Sequence, residues 1–207
     1  MAEPRRARAA TIEKRTRILD VTEQIMLEDG YAAVSSRRVG AEVGINAPLV
    51  HYYFPTLDDL FVAVFRRRAE RNMSRLSAAL ASPEPLRAWW ELASDPRGTA
   101  LLMELMAAAS HRSALRAEVA ELAREARRMQ MATLASILDD YGIDADQFPP
   151  ALVAAAVQGL ALVVVQDQVA GYETAHEEAA AAMAALVAML EEQRAGRGVR
   201  RRRGRTR

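Results

Sequence analysis

Three residues within five positions constrain the stretch AEVGINAPLVHYYF, residues 41–54. Gly44 suits the left-handed backbone that ends a helix, and Asn46 suits a helix N-cap. Pro48 fits a first helical turn, where its missing N–H has no intrahelical partner to lose. One helix must stop near 43 and another must start near 47. Ser35 or Ser36 can cap the first, predicted over 36–43, and Pro55 ends the second, predicted over 47–54. Val39, Val43, Ile45 and Val50 are spaced to hold the pair together. Two short helices joined by a glycine turn make a helix-turn-helix, whose second helix enters the major groove of DNA. That use explains the abrupt start at Asn46, which leaves N–H groups for a phosphate, and places His51 and Tyr52 one turn further on. Tyr53 and Phe54 are expected to pack against the first and fourth helices. The alternative from pattern alone is a small helical subdomain with partly exposed tyrosines.

The same punctuation divides the remaining chain into helices. One is predicted over 11–29, with Gly30 after it. A long fourth helix, about 57–80, is capped by Thr56 and carries Asp58 and Asp59 in its first turn, where the helix dipole favours them. Its Arg66, Arg67 and Arg68 are read as a solvated face. The SPEP segment at 82–85 breaks the chain. Further helices follow at 86–93, 99–110, about 113–140, 150–170 and 175–194, the last with Thr174 and Glu177 as a capping box. Half of the residues are apolar, mainly Ala, Leu and Val, and only 5% are aromatic. An all-α protein is the expected class.

The chain has no cysteine, which excludes disulfide scaffolds, thiolate metal sites and cysteine nucleophiles. The N-terminal arginines precede no apolar core, so no secretory signal is expected. The longest apolar run, 151–165, falls short of the ~20 residues a membrane span needs. A buried interface helix, no membrane and a cytoplasmic location are expected instead. The net charge of +1 is unevenly distributed: residues 1–17 carry +4, residues 194–207 carry +8, and the body between them carries −11. Basic ends on an acidic body suggest a polyanionic partner.

Little in the sequence supports catalysis. His51, His111 and His176 lie on separate elements without metal-ligand spacing. Ser110-His111 has no nucleophile elbow, and Gly196-x-Gly198 lies in an arginine tail rather than after a strand. No catalytic residue, metal or cofactor is expected.

The segment RTRILDVTEQIMLEDGYAAVSSRRVGAEVGINAPLVHYYFPTLDDLF resembles the N-terminal domain of the TetR (tetracycline repressor) family. The likeness is dense over residues 12–62 and is one of layout only beyond them. It implies an all-α protein: an N-terminal three-helix domain with a helix-turn-helix, joined by a long helix to a C-terminal helical domain for ligand binding and dimerisation. The expected divisions are a basic disordered arm at 1–11, a helix-turn-helix DNA-binding domain at 12–58, a regulatory and dimerisation domain at 59–194 and a disordered Arg-rich tail at 195–207. The implied function is that of a homodimeric transcription regulator, a repressor released from a pseudo-palindromic double-stranded DNA operator by a small apolar or amphipathic effector. The alternative is a ligand-independent or architectural DNA-binding protein.

Carried onto this chain, the DNA contacts are Arg37, Arg38, Asn46, Ala47, Pro48, Leu49, His51 and Tyr52. Two positions depart from the family pattern. Leu57 stands where many members have lysine, and His51 where many have tyrosine. Candidate pocket residues are Trp89, Trp90, Leu101, Met103, Met106, His111, Leu122 and Met129. For the dimer interface, small residues on the last two helices allow close approach and leucines serve as knobs. The candidates there are Ala155, Gly159, Leu160, Ala182, Leu186 and Leu190.

Overall fold

A computed structural model describes residues 3–171 and 176–204, with side chains for 9–168, 170–171 and 177–196. Its α-helices, in chain order, are α1 Glu3–Asp29, α2 Ser36–Val43, α3 Ala47–Tyr53, α4 Leu57–Leu80, α5 Pro85–Ala93, α6 Pro96–His111, α7 Ser113–Tyr141, α8 Pro150–Ala170 and α9 His176–Gly204. A single 3₁₀ turn, Tyr31–Ala33, follows α1. Among the described residues all regular structure is helical, as the composition implied.

The local reasons are legible at the helix ends. Ser35 Oγ accepts the Arg38 N–H at 3.2 Å and so caps α2. Thr56 caps α4: its Oγ1 accepts the Asp59 N–H at 3.1 Å, while Asp59 Oδ2 accepts the Thr56 N–H at 3.0 Å. This is a reciprocal capping box. The box expected from Thr174 and Glu177 lies outside the described residues. At the positions of the expected arm and tail, residues 3–11 lie in α1 and residues 195–204 in α9. Ala and Arg are good helix formers, and no proline interrupts the α9 segment.

The chain folds as two compact units, and the division differs from the predicted one at 58/59. The first unit holds residues 1–70 and 100–123; the second holds 71–99 and 124–207. Residues 100–123, assigned from sequence to the regulatory domain, thus belong with the helix-turn-helix. They supply Leu101, Leu105, Ala108, Ala109, Leu115 and Val119 to a core shared with Ile18, Ile25, Met26, Val39, Val50, Phe54, Leu60 and Phe61. Ion pairs reinforce this packing. Arg112 bonds Asp58, Arg66 bonds Glu118, and Glu104 Oε2 accepts the Tyr31 N–H at 2.7 Å.

Arg67 corrects the reading of residues 66–68 as a solvated face. Its side chain is 14% exposed and bonds Glu23 and Asp20 on α1. It also donates to the Thr16 carbonyl at 3.3 Å. Arg67→Ala would leave the half-buried Glu23 carboxylate without this partner and strip the arginine stem from the α1–α4 contact. A loss of about 2 kcal/mol in urea unfolding is expected, against less than about 0.5 kcal/mol for Arg37→Ala, a surface site without comparable bonds.

The second unit centres on Trp89 and Trp90 of α5, packed with Leu76, Leu80, Leu134, Leu138, Tyr141, Ala154, Val157, Ala161 and Val187. A buried polar cluster fastens it. Glu191 of α9, 6% exposed, accepts the N–H groups of Leu86 at 3.0 Å and Arg87 at 3.3 Å, and the Tyr141 hydroxyl at 2.5 Å. Pro85 opens α5 and its N-cap, Glu84, makes no side-chain cap bond. Glu191 therefore caps α5 from a distant helix, and its charge suits the positive end of that helix.

In α8, Pro150–Gln168 is a 19-residue window of mean hydropathy 1.6, of which 28% is buried. The apolar stretch is thus longer than the run read from sequence and reaches membrane-spanning length. Nonetheless α8 packs against α5 and α9 inside the second unit, and Ala154, Ala161 and Val165 are buried there.

Candidate nucleic-acid interface

The turn between α2 and α3 is tightly specified. Gly44 has φ 78° and ψ 33°, and its N–H bonds the Ala41 carbonyl at 3.2 Å. The Ile45 N–H bonds the Gly40 carbonyl at 2.8 Å, which completes a Schellman ending. Asn46 Oδ1 accepts the Leu49 N–H at 3.0 Å and starts α3. A residue the sequence reading did not single out sets the spacing of the two helices. A Cβ placed on Gly40 would lie 2.8 Å from the Ile45 carbonyl oxygen and 3.4 Å from the Ala47 nitrogen. Only glycine lets α2 approach the start of α3 this closely. The signal was present as a small residue one turn before Gly44, but a glycine inside a helix shows its purpose only when its neighbour is placed.

α3 turns one side inward and one outward. Val50 is 1% exposed and Phe54 3%, both in the core of the first unit. The Arg15 guanidinium lies 5.0 Å from the centre of the Phe54 ring. Tyr53 packs partly buried against the same core and meets Tyr52 edge-on. These placements agree with the roles assigned to Tyr53 and Phe54. Asn46, Pro48, His51 and Tyr52 are exposed, Tyr52 by 76%, while Ala47 and Leu49 are half-buried. Pro48, His51 and Tyr52 stand at i, i+3 and i+4 and therefore form one face. His51 Nδ1 lies 3.1 Å from the Pro55 carbonyl oxygen. A carbonyl can only accept, so Nδ1 donates.

The two arginines of α2 separate. Arg37 is exposed. Arg38, also an expected DNA contact, forms ion pairs with Asp29 and Glu42. These hydrogen bonds, Asp29 first, raise its pKa above the ordinary arginine value. Sequence spacing showed Glu42 four residues on, but Asp29 reaches Arg38 only through the tertiary packing of α1 on α2.

The eight candidate pocket residues are not gathered into one unit. Trp89, Trp90 and Met129 belong to the second; Leu101, Met103, Met106, His111 and Leu122 belong to the first. Trp89 and Trp90 are packed core residues, Met106 and Met129 are 39% and 48% exposed, and His111 stacks on Tyr31 with ring centres 6.4 Å apart. Gln130 of α7 was missed. It is 7% exposed, shares the buried stripe of Leu134 and Ile137, and its Nε2 meets no acceptor among the described residues. The interface candidates also divide. Ala155, Gly159, Ala182 and Leu186 are exposed, whereas Leu160 and Leu190 pack partly buried against the second unit's own core.

Residues 18–64 match the family model for bacterial regulatory proteins of the tetR family. No curated protein sequence matches the chain. Among solved structures, the chain is similar to a TetR-family member from Streptomyces coelicolor at 29% identity, covering 84% of this chain and 98% of that one, with a TM-score of 0.59. The multidrug binding protein EbrR, solved with imidazole, is 29% identical over 84% of this chain and 89% of its own, with a TM-score of 0.55. A transcriptional regulator from Rhodococcus shares the fold at 22% identity and a TM-score of 0.67, with 86% and 96% of the two chains covered. The matched model spans the capped turn and the exposed face of α3, so residues 18–64 have the character of a tetR-family DNA-binding domain, and the helical fold of the longer chain is similar to that of TetR-family regulators.

Proposed function

We propose that the protein is a homodimeric, sequence-specific repressor that leaves a pseudo-palindromic operator when a small apolar or amphipathic effector binds. The observation that carries DNA recognition is the outward face of α3, where Pro48, His51 and Tyr52 stand exposed on a helix whose start is held by Asn46 and Gly44. Arg37, exposed on α2, would meet a phosphate. The role is regulatory rather than catalytic, and a cytoplasmic location goes with it. Tyr52→Ala tests the face: the residue is 76% exposed, so folding should be unaffected. Operator affinity, read by fluorescence anisotropy on a duplex selected from random sequence, should fall by about 1–3 kcal/mol. Unchanged affinity would remove α3 from the interface.

Dimerisation is supported by the uncovered apolar strip on α8 and α9. Leu152, Leu162, Val163, Leu186 and Met189 are each between 38% and 54% exposed, alongside exposed Ala155, Gly159 and Ala182. A single short recognition helix reads few base pairs, and a two-fold partner doubles the site. A Cβ at Gly159 would meet nothing within 4 Å, so Gly159→Arg is harmless to the isolated fold except for helix propensity. Sedimentation should show this variant as a monomer, with operator affinity reduced at least tenfold through loss of the second half-site.

Effector binding is supported by Gln130, a buried amide donor that meets no acceptor among the described residues, since such groups are ordinarily satisfied by protein, water or ligand. The likeness to EbrR, a multidrug binding protein, points the same way.

A further inference from the structure

The Nδ1 contact of His51 limits what this side chain can recognise. The Pro55 carbonyl accepts the Nδ1 proton at 3.1 Å. The carbonyl is positioned on both sides: Phe54 before it closes α3 through its N–H to Val50, and Thr56 after it is held to Asp59 at 3.0 Å and 2.7 Å. The proline ring fixes the intervening φ. With the proton of the neutral imidazole on Nδ1, Nε2 keeps its lone pair and can only accept. The neighbouring first turn offers little else. Ala47, Pro48 and Leu49 have no polar side-chain atoms, and the Asn46 oxygen is engaged by the Leu49 N–H.

An obligate acceptor has few partners on duplex DNA. Phosphate oxygens, guanine N7 and O6, adenine N7 and thymine O4 are all acceptors and would face the Nε2 lone pair with like charge. The donors exposed in the major groove are the exocyclic amino groups, N6 of adenine and N4 of cytosine. We propose that His51 is a specificity-determining residue that reads one such amino group in each half-site through Nε2. The proposal rests on the reading of α3 as the recognition helix.

The test starts from the duplex that the wild-type protein selects from random sequence at pH 8, above the range in which histidines ordinarily titrate. Each adenine of the half-site is replaced singly by purine, and each cytosine by its 4-deamino analogue, so that only the amino group is lost. Affinities are measured for the wild type and for His51→Phe, an exposed site where folding is checked by circular dichroism. At one position the deletion should weaken the wild type about tenfold and leave His51→Phe unaffected beyond the change seen at neighbouring positions. His51→Phe should itself lose about tenfold on the natural duplex, with an unchanged salt slope. Additive losses at every position would overturn the proposal. So would a uniform loss on all duplexes with a salt slope lower by about 0.9, which would mark a protonated ring on a phosphate. If the wild type selects no duplex, the recognition-helix reading fails first and the proposal falls with it.

Discussion

Glu191→Ala is expected to cost about 3–5 kcal/mol of stability, although the residue takes no part in the helix-turn-helix. One carboxylate answers three donors: the N–H groups of Leu86 and Arg87 and the hydroxyl of Tyr141. Alanine removes the carboxylate that accepts from the buried hydroxyl and the Leu86 N–H, and with it the negative charge at the start of α5. Glu191→Gln keeps an acceptor but not the charge, and should cost about 1–2 kcal/mol. Urea unfolding followed by tryptophan fluorescence suits the measurement, since Trp89 and Trp90 lie in the same core. Equal, small losses for both variants would show that Glu191 does not hold α5.

The same cluster has a pH signature. Burial first, and the bond to Glu191 second, push the Tyr141 hydroxyl well above its ordinary value of 10.0. The folded state therefore holds this proton more tightly than the unfolded chain does. The stabilisation is fully present below pH 10 and declines as the pH rises above it towards the folded-state value. Tyr141→Phe should be less stable at neutral pH by about 1 kcal/mol, the worth of the lost hydrogen bond. It should also lose less stability than the wild type between pH 10 and pH 11.

Gly40→Ala is expected to combine a loss of about 2 kcal/mol in stability with a loss of operator affinity of tenfold or more. The new methyl would sit 2.8 Å from a backbone oxygen, not from a flexible side chain, so the Ile45–Ala47 segment has to move. That segment carries the start of α3, and displacing it tilts Pro48, His51 and Tyr52 together. Gly44→Ala is the informative comparison. Nothing lies within 4 Å of its Cβ, so its cost comes from the left-handed φ of 78° alone, about 1 kcal/mol. If Gly40→Ala binds DNA as well as Gly44→Ala once both are folded, the close approach of the two helices does not set the recognition geometry.

Much of this protein was legible in its sequence because the information was local. Gly44, Asn46 and Pro48 each act through backbone dihedrals or a hydrogen bond within a few residues, so the turn, its caps and α3 could be placed from the chain alone. The same holds for the Thr56 cap of α4 and for the alternation of Val50 inward with His51 and Tyr52 outward. What the sequence could not carry was any pairing between distant elements. Arg37 and Arg38 are adjacent and chemically identical, yet only Arg38 meets Asp29, because α1 happens to end beside α2. Arg67 is one of three consecutive arginines, and its burial depends on the α1 carboxylates it faces. Residues 100–123 carry an apolar stripe that would suit either unit, and only packing assigned them to the first. Glu191 and Tyr141 are ordinary residues fifty positions apart, and nothing periodic links them to α5. Local chain chemistry determined where the helices begin and end and which face of α3 is exposed. Tertiary packing decided which charges are engaged internally, because charge pairing depends on distance in space and leaves no period in the sequence.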